Sequence, residues 1–296
     1  MSDKTKAILW MLYACFGAAL MTIFVKILSY KINVFQMVFF RNLIALVMFL
    51  PWLLKHGDAW YDLTHAKTSQ YKIYLLRAIN GFVVMNLYFY VLTIVPLTVV
   101  ASLSFISPIV TALLAIIFFG ERYGVHRWFA LIMGFVGVLI VIRPGTEDFD
   151  INSLWVLVIA SMWSIAGIII KFASKSDDPK KIVFYMVFMM TPLSVPMAYL
   201  NWQPVPTEAI PYILALGIVS NIFQVALSRA ISLTDFSTIL PYDFSRLVFV
   251  TILTYFVFDE VIDFQTAIGA VVIMSSAVYA SYREKLKKIN VQKDSK

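Results

Sequence analysis

Two opposite charges, Asp243 and Arg246, interrupt the predominantly apolar stretch from Phe236 to Phe258. As a helix, this stretch is about 35 Å long, which is enough to cross a lipid bilayer with some tilt. Each charge costs roughly 2.5–3.5 kcal/mol at a bilayer centre, so we expect both to face a protein interior or a wet cavity, where their three-residue spacing lets them pair. Intramembrane charges of this kind predict a site for a substrate or a coupling ion. The alternative is an ion pair that only fixes helix packing.

The pairing also indicates which ligand would suit the site. A neighbouring arginine favours the ionised form of an aspartate, which argues against Asp243 as a simple proton carrier. We predict instead a zwitterionic substrate, whose carboxylate meets Arg246 and whose cationic group meets Asp243.

Several further residues are candidates for lining the same cavity. Asn221, Gln224 and Ser228 share one face of a predicted helix, and Trp163 offers a ring that can stack on a planar group or a cation. Polar side chains also bind membrane helices to each other, and packing is the alternative role for Trp163. The predicted substrate-binding residues are Asp243, Arg246, Asn86, Gln224, Asn221, Trp163, Tyr242 and Ser104.

Two prolines, Pro108 and Pro241, interrupt the predicted fourth and ninth helices. A proline inside a helix frees a backbone carbonyl and introduces a bend, so we predict that both act in gating at the depth of the cavity. A tolerated kink is the alternative. Arg41 is expected to be structural, and the residues expected to anchor or cap helix ends are Lys26, Lys171, Glu121 and Glu260.

The bulk composition indicates the class of protein. Of 296 residues, 61% are hydrophobic and 14% are charged, and the mean hydropathy is +0.83, which is more than a soluble domain can bury. The net charge of +7 comes from basic residues between apolar spans and in the tail, so it indicates orientation in a membrane and not a nucleic-acid partner. Cys15 is the only cysteine, which excludes an internal disulfide and a zinc cluster. We predict no metal and no cofactor.

Ten apolar segments are each close to the ~20 residues that cross the hydrocarbon core. We predict that they are helices, because unpaired peptide groups are costly in lipid and the segments lack the alternation of barrel strands. Nineteen Lys and Arg fall on the side of the N-terminus, three fall on the other side, and Arg41 and Arg246 lie within spans. Both termini are therefore predicted to be cytoplasmic. The segments are 7–28, 33–54, 72–94, 97–119, 126–143, 152–173, 182–200, 209–230, 236–258 and 264–282.

The sequence also contains an internal duplication. Pro96 to Glu121 aligns without a gap with Asp235 to Glu260, and Ile8 to Lys26 aligns likewise with Ser153 to Lys171. Because each half holds five spans, an odd number, equivalent helices would cross in opposite directions. The predicted fold is an all-α integral membrane protein of ten transmembrane helices in two inverted five-helix repeats. Its predicted parts are residues 1–145, 146–283 and a basic cytoplasmic tail, 284–296.

Short motifs run in order through both halves. They are Phe39-Phe40-Arg41, Tyr90, Pro96, Pro108, Gly120-Glu121, Gly134, Gly137, Arg229-Ala230, Pro241-Tyr242 and Glu260. Together with the repeat, they resemble the drug/metabolite transporter superfamily, in particular its EamA-type branch. The run from Pro241 to Arg246, the segment from Phe256 to Glu260 and the Arg143-Pro144 exit are also similar to bacterial S-adenosylmethionine uptake carriers. The resemblance implies a carrier of small metabolites but does not name the cargo.

We therefore predict a secondary transporter that moves a small organic metabolite by alternating access, with an amino-acid-like or S-adenosylmethionine-like zwitterion favoured. The alternatives are a broad-specificity efflux carrier, a channel, a non-transporting scaffold and a membrane enzyme. An enzyme is disfavoured, because His56, His65 and His126 fall in loops or at span ends and no HExxH or GxSxG motif is present. The expected location is the cell's inner membrane, with a small-molecule substrate, lipid and, where transport is ion-coupled, a coupling ion as partners.

Overall fold

The structure, a computed structural model, is all-helical in the residues that it describes. Ten α-helices and two 3-10 turns account for its regular structure, and no strand occurs in this part of the chain. The described residues are 3–55, 68–104, 106, 107, 110, 125–143, 146, 150–174, 177–234, 239, 242, 243 and 245–294.

The helices follow the ten predicted apolar segments. They are α1 (Asp3–Ser29), α2 (Val34–Lys55), α3 (Thr68–Ile94), α4 (Leu97–Ser104), α5 (Val125–Ile142), α6 (Leu154–Ala173), α7 (Pro179–Leu200), α8 (Ile210–Leu233), α9 (Ser245–Phe258) and α10 (Phe264–Asp294). Of these described helices, six contain a stretch long and apolar enough to cross a membrane, namely α1, α2, α3, α6, α7 and α8. Shorter apolar helical stretches lie at Ile132–Ile142, Ser245–Phe258 and Phe264–Ser276.

Two helices end at a residue in the left-handed conformation. Arg143 after α5 and Asp259 after α9 both have a φ of 53°. Their N–H groups donate to the carbonyls of Leu139 and Tyr255, four residues back, at 2.9 and 3.1 Å. This cap ends each helix abruptly. Arg143 also lies beside Asp263, the residue that directly precedes α10, and the two side chains form an ion pair.

Helices from the two halves of the sequence pack against each other. α1 packs on α8 and α6 packs on α3, while α2 and α3 both pack on α7 and α5 packs on α10. A methyl group at Gly17 of α1 would lie 3.3 Å from Phe223 Cβ of α8, and the Arg229 guanidinium lies 4.7 Å from the Trp10 ring. Because residue numbers rise in α1 as they fall in α8, these two helices are antiparallel.

Other pairs run in the same direction. In α2 and α8, Ile44 lies against Gly217 and Met48 lies 3.7 Å from Asn221 Nδ2. The residue numbers of the contacting pairs rise together along the two helices, so α2 and α8 are parallel. The same holds for α3 and α7, where Tyr74 stacks on Tyr185 at 4.5 Å and Gly81 lies against Met190.

A close helix crossing joins α5 and α10. A methyl group at Gly137 would lie 2.6 Å from Ile273 Cγ1, and one at Gly269 would lie 2.5 Å from Val141 Cγ2. The absence of side chains at both positions lets the two backbones approach. Gly137 and Gly269 therefore both serve helix packing.

Two lysines cap the ends of neighbouring helices in the same way. Lys26 at the end of α1 donates to Thr93 O at the end of α3, at 3.3 Å. Lys171 at the end of α6 donates to Ile231 O and Thr234 O at the end of α8, at 3.1 and 2.8 Å. A cation at a helix C-terminus satisfies carbonyls that have no partner within the helix. The predicted anchoring role of both lysines is confirmed.

Large apolar side chains cover the outside of the bundle, while polar ones are found within it. Leu54, Tyr199, Phe256 and Phe264 are strongly exposed. Buried polar or charged residues include Gln36, Arg41, Asn42, Arg77, Ser220 and Ser228. This distribution suits a bundle surrounded by lipid, where the exposed face has no water to bind.

Candidate substrate site

The predicted pairing of Asp243 and Arg246 is present in the structure. Arg246 Nη2 lies 3.9 Å from Asp243 Oδ2, and the two side chains are 12% and 25% exposed. Their three-residue spacing places them on one helix face. A separation of 3.9 Å is too long for a hydrogen bond, so the charges attract each other without being locked together.

Trp163 of α6 lies beside the guanidinium of Arg246. Arg246 Cζ is 5.4 Å from the centroid of its ring, within range of a cation–π interaction. Tyr88 of α3 packs on the same tryptophan, with ring centroids 4.8 Å apart, and its hydroxyl lies 2.9 Å from Thr22 Oγ1 of α1. A series of contacts therefore runs from Thr22 of α1 through Tyr88 of α3 and Trp163 of α6 to Arg246 of α9.

Cys15 of α1 contacts the other end of the charged pair. Its Sγ lies 3.7 Å from Asp243 Oδ1 and 3.6 Å from the carbonyl oxygen of Tyr242. A thiol is a weak hydrogen-bond donor, so it orients the carboxylate without neutralising it. The central site is defined here as Cys15, Thr22, Tyr88, Trp163, Asp243 and Arg246.

Three of the predicted residues turn their side chains elsewhere. The ring of Tyr242 is 37% exposed, and its contribution is the carbonyl that accepts from Cys15. Ser104 is buried and donates to Val100 O of its own helix at 2.7 Å. Asn86 donates to Phe82 O at 2.8 Å, and it lies two residues from Tyr88, which places it on the opposite side of α3 from the central site.

The polar face predicted on α8 lies toward α2. Asn221 Nδ2 contacts Met48 Sδ at 3.7 Å, and Gly217, one turn earlier, lies against Ile44. Gln224 continues the same face, and so does Ser228. Asn221 Oδ1 and Ser228 Oγ are buried and have no hydrogen-bond partner among the described residues. The described contact of Asn221 is therefore with α2.

The predicted gating residues, Pro108 and Pro241, lie outside the described residues, as does Glu121. Glu260, the counterpart of Glu121 in the predicted repeat, accepts hydrogen bonds from Thr98 N at 3.0 Å and Thr98 Oγ1 at 2.8 Å. A carboxylate in this position caps the start of α4, where backbone N–H groups have no partner within the helix. The predicted capping role of Glu260 is confirmed.

Three residues of the central site were not predicted from the sequence, namely Cys15, Thr22 and Tyr88. Cys15 and Thr22 are seven residues apart in the apolar middle of α1, so they share one helix face, and this spacing was a usable signal. Tyr88 had no comparable signal, because tyrosine is common in this chain and its neighbour Trp163 belongs to a distant segment.

The chemistry of the central site is that of binding. One carboxylate, one guanidinium, one thiol and two aromatic rings offer complementary groups to a small molecule that carries both charges. Within the described part of the chain, no group of three or more His, Cys, Asp or Glu could hold a metal ion.

A helical bundle with an apolar outer surface and charges sheltered between its helices has the architecture of a membrane transport protein. The family model of the EamA-like transporter family matches the chain over residues 5–143 and 151–282. The chain belongs to the EamA-like transporter family. It is thus a non-enzymatic, multi-pass membrane transporter of the drug/metabolite type, and the resemblance seen in its motifs is confirmed.

Individual relatives are similar over most of their length. The S-adenosylmethionine uptake transporter of Rickettsia felis is 28% identical over 289 residues, covering 96% of this chain and 97% of the relative. The riboflavin transporter of Vibrio cholerae is 27% identical over 244 residues, covering 81% and 80%. The pseudopaline exporter of Pseudomonas aeruginosa is 24% identical over 274 residues, covering 92% and 94%. These names agree in indicating a small-molecule substrate.

One solved crystal structure is similar in fold. It has a TM-score of 0.66 and 16% sequence identity, and the match covers 94% of this chain and 97% of the other. At this identity the likeness concerns the fold alone.

Proposed function

We propose that this chain is a secondary transporter that carries a small organic zwitterion by alternating access, with the central site as its binding site. The observation that carries the proposal is the Asp243–Arg246 pair, whose charges lie 3.9 Å apart without a direct hydrogen bond. The planar guanidinium of Arg246 suits a carboxylate, which it can bind through two parallel hydrogen bonds. Asp243 suits the cationic group of the same molecule.

The two rings beside the pair favour a cargo with a planar or cationic group. The Trp163 ring lies 5.4 Å from Arg246 Cζ, and the Tyr88 ring packs on Trp163 at 4.8 Å. S-adenosylmethionine carries a carboxylate, an ammonium group, a sulfonium group and a planar base, so its chemistry matches this combination. The name of the Rickettsia felis relative supports the same cargo.

Alternating access is supported by the packing of the two proposed repeats, 1–145 and 146–283. The pairing of α1 with α8 becomes the pairing of α6 with α3 when the halves are exchanged. Lys26 and Lys171, which are aligned in the repeat, cap equivalent helices. Inverted repeats of this kind allow one half to rock against the other around a site near the midplane. Gating at Pro108 and Pro241 remains part of the proposal.

We place the protein in the inner membrane with both termini in the cytoplasm, because Lys and Arg concentrate in the loops on the side of the N-terminus. A transport cycle needs either unequal affinity of the substrate for the two facing states or a coupled ion gradient. Asp243 is the residue through which a coupling cation would act.

Export is the second candidate direction. The pseudopaline exporter supports it, since that relative covers 92% of the chain and is named for efflux. A broad-specificity efflux carrier would bind several unrelated amphipathic cations and would not require a carboxylate on its cargo.

The test begins with a thermal-shift screen of the purified protein against S-adenosylmethionine, methionine, riboflavin and nucleosides, because a ligand of the native state raises the unfolding temperature. Flux is then measured in proteoliposomes. Saturable, stereoselective flux of S-adenosylmethionine is expected. In Arg246→Ala and Asp243→Asn, we expect flux at low substrate concentration to fall about tenfold or more, the effect of losing a charge-assisted hydrogen bond.

Two further variants make the test specific to the site. Trp163→Leu removes the ring beside Arg246, and we expect a loss of affinity of roughly 2- to 30-fold. Tyr255→Phe is the matched control, since Tyr255 lies on the exposed side of α9. Undiminished uptake by both Asp243→Asn and Arg246→Ala would end the proposal for this site.

A further inference from the structure

Arg77 of α3 is a buried charge that the central site does not use. The residue is 2% exposed, its buried Nε has no hydrogen-bond partner among the described residues, and no ion pair joins its guanidinium to another of them. Two other interior arginines differ in this respect, because the buried Arg41 donates to Asn42 at 2.9 Å and the partly buried Arg246 lies beside Asp243 and Trp163.

The position of Arg77 relates it to the central site. Arg77, Gly81, Val84 and Tyr88 follow each other at spacings of four, three and four residues, so they lie on one face of α3. Gly81 of this face lies against Met190 of α7, and Tyr88 lies against Trp163 of α6. Arg77 therefore faces the interior between α6 and α7, about 16 Å along the helix from Tyr88.

Relative to Tyr88, Arg77 lies toward the predicted cytoplasmic end of the bundle. Tyr74, about one turn before Arg77, donates to Asp177, which lies just before α7 begins. Lys181 of the same end forms an ion pair with Asp177 at 3.1 Å. Arg77 thus lies between the central site and the predicted cytoplasmic end of the bundle.

A buried arginine without a described counter-charge is costly, and an anion at its guanidinium would remove that cost. The planar fork of arginine is well matched to a carboxylate. We propose that Arg77 is a second anion-binding station, which receives the carboxylate of the substrate on the cytoplasmic side of the central site. This inference rests on the proposed function, because it assumes a carboxylate-bearing cargo that passes along the interior face of α3.

The first experiment measures flux of S-adenosylmethionine from each side of proteoliposomes whose protein orientation is known. In Arg77→Gln, we expect the KM for substrate on the cytoplasmic side to rise about tenfold or more, while the KM on the opposite side stays within twofold. For Arg77→Lys, the KM on the cytoplasmic side should lie between the values for wild type and Arg77→Gln, since lysine keeps the charge but not the planar fork of arginine. Arg229→Gln is the matched control, because it removes an arginine near the same end that stacks on Trp10 instead. Equal KM values for Arg77→Gln and wild type, or equal changes on both sides, overturn the inference.

The second experiment does not depend on the cargo. Without ligand, Arg77→Met should unfold at a higher temperature than wild type, because it removes an uncompensated buried charge. A marked fall in unfolding temperature would show a structural role and would overturn the inference. A third measurement follows the unfolding temperature of wild type and Arg77→Met as sodium chloride is added, with S-adenosylmethionine absent. It shows whether a free inorganic anion occupies the site of Arg77. If chloride stabilises wild type and not Arg77→Met, this result would count against the substrate carboxylate as the occupant. If wild type itself shows no saturable flux, the proposed function fails, and this stability comparison still decides whether Arg77 is uncompensated.

Discussion

Arg41 shows how a buried charge can be tolerated through a single neutral neighbour. It is 1% exposed, and its Nη1 donates to Asn42 Oδ1 at 2.9 Å. Arg41 Nε and Asn42 Nδ2 are buried with no hydrogen-bond partner among the described residues. The amide oxygen of Asn42 is therefore the acceptor on which the guanidinium depends in this part of the structure.

We expect Asn42→Ala to destabilise the protein by about 1–3 kcal/mol, because it leaves the guanidinium of Arg41 without this acceptor. The double variant Arg41→Met with Asn42→Ala should recover most of that loss, since an apolar side chain of similar volume often replaces a buried charge at little cost. Thermal unfolding in detergent measures both. A double variant less stable than Asn42→Ala would contradict the dependence of Arg41 on Asn42.

Asp263, outside the spans, gives a pH dependence of known sign. Partial burial raises the pKa of Asp263, but hydrogen bonds from Thr266 and the charge of Arg143 outweigh this and lower the pKa below its ordinary value of 3.8. The unfolded chain therefore binds the proton more readily. The stability that Asp263 contributes is present above the unfolded pKa and is lost as pH falls through the folded pKa.

The measurement compares the unfolding temperatures of wild type and Asp263→Asn across this range. Wild type should be the more stable near neutral pH, and the difference should shrink as pH falls below about 4. The effect is expected to be small, because Asp263 is about half exposed and solvent screens the ion pair. A difference that grows as the pH falls would reverse the sign and refute this account of Asp263.

At the residue scale, the sequence predicted the part of the site that depends on local spacing. Asp243 and Arg246 are three residues apart on one helix, so their pairing follows from helix geometry. The contacts of Cys15 and Tyr88 with the site depend on which distant helices become neighbours. The direction of Asn221 could not be predicted for the same reason, since the polar face of α8 was evident but its partner helix was not.

At the scale of elements, the glycine crossing of α5 and α10 allows a direct test of close packing. A methyl group at Gly269 would lie 2.5 Å from Val141 Cγ2 and 2.9 Å from Gly137 O. Because a backbone oxygen cannot move aside easily, Gly269→Ala should destabilise the protein by about 1–3 kcal/mol despite the better helix propensity of alanine. Thermal unfolding provides the measurement.

Gly81→Ala is the control for this prediction. The nearest atom to a methyl group at Gly81 is Met190 Sδ at 3.1 Å, the end of a flexible side chain. We expect this variant to be nearly neutral or slightly more stable, because alanine favours the helix. An equal loss of stability in Gly269→Ala and Gly81→Ala would show that the short distance from the added methyl group to a backbone atom does not cause the destabilisation.

Helix positions could be predicted because long apolar runs have few other solutions in a membrane. The predicted segment 182–200 corresponds to α7, which begins at Pro179 because the Asp178 side chain caps it. Which helices pack against each other could not be predicted in this way. The packing of α1 on α8 joins segments about two hundred residues apart, and nothing in the spacing of either segment specifies the other.

At the scale of the whole molecule, polar contacts between the two halves of the sequence lie at both ends of the helical bundle. At one end, Lys31 pairs with Glu208 at 2.9 Å, and Arg143 pairs with Asp263. At the other end, Tyr74 donates to Asp177. Successive helices therefore run between the same two ends, as expected for a chain that crosses a membrane repeatedly.

This arrangement predicts the outcome of cysteine labelling. Cys15→Ser provides a background without cysteine, since Cys15 is the only one in the sequence. Tyr30 follows α1 and Asp178 follows α6, so the two loops are equivalent in the proposed repeat and should lie on opposite sides of the membrane. We expect Tyr30→Cys to react with a membrane-impermeant maleimide on intact cells, and Asp178→Cys to react only after permeabilisation. Asn201→Cys, after α7, should behave as Tyr30→Cys does and controls for reactivity of an exposed loop. Labelling of Tyr30→Cys and Asp178→Cys from the same side would mean that the two halves run in the same direction, and rocking of inverted repeats about the central site would then be excluded.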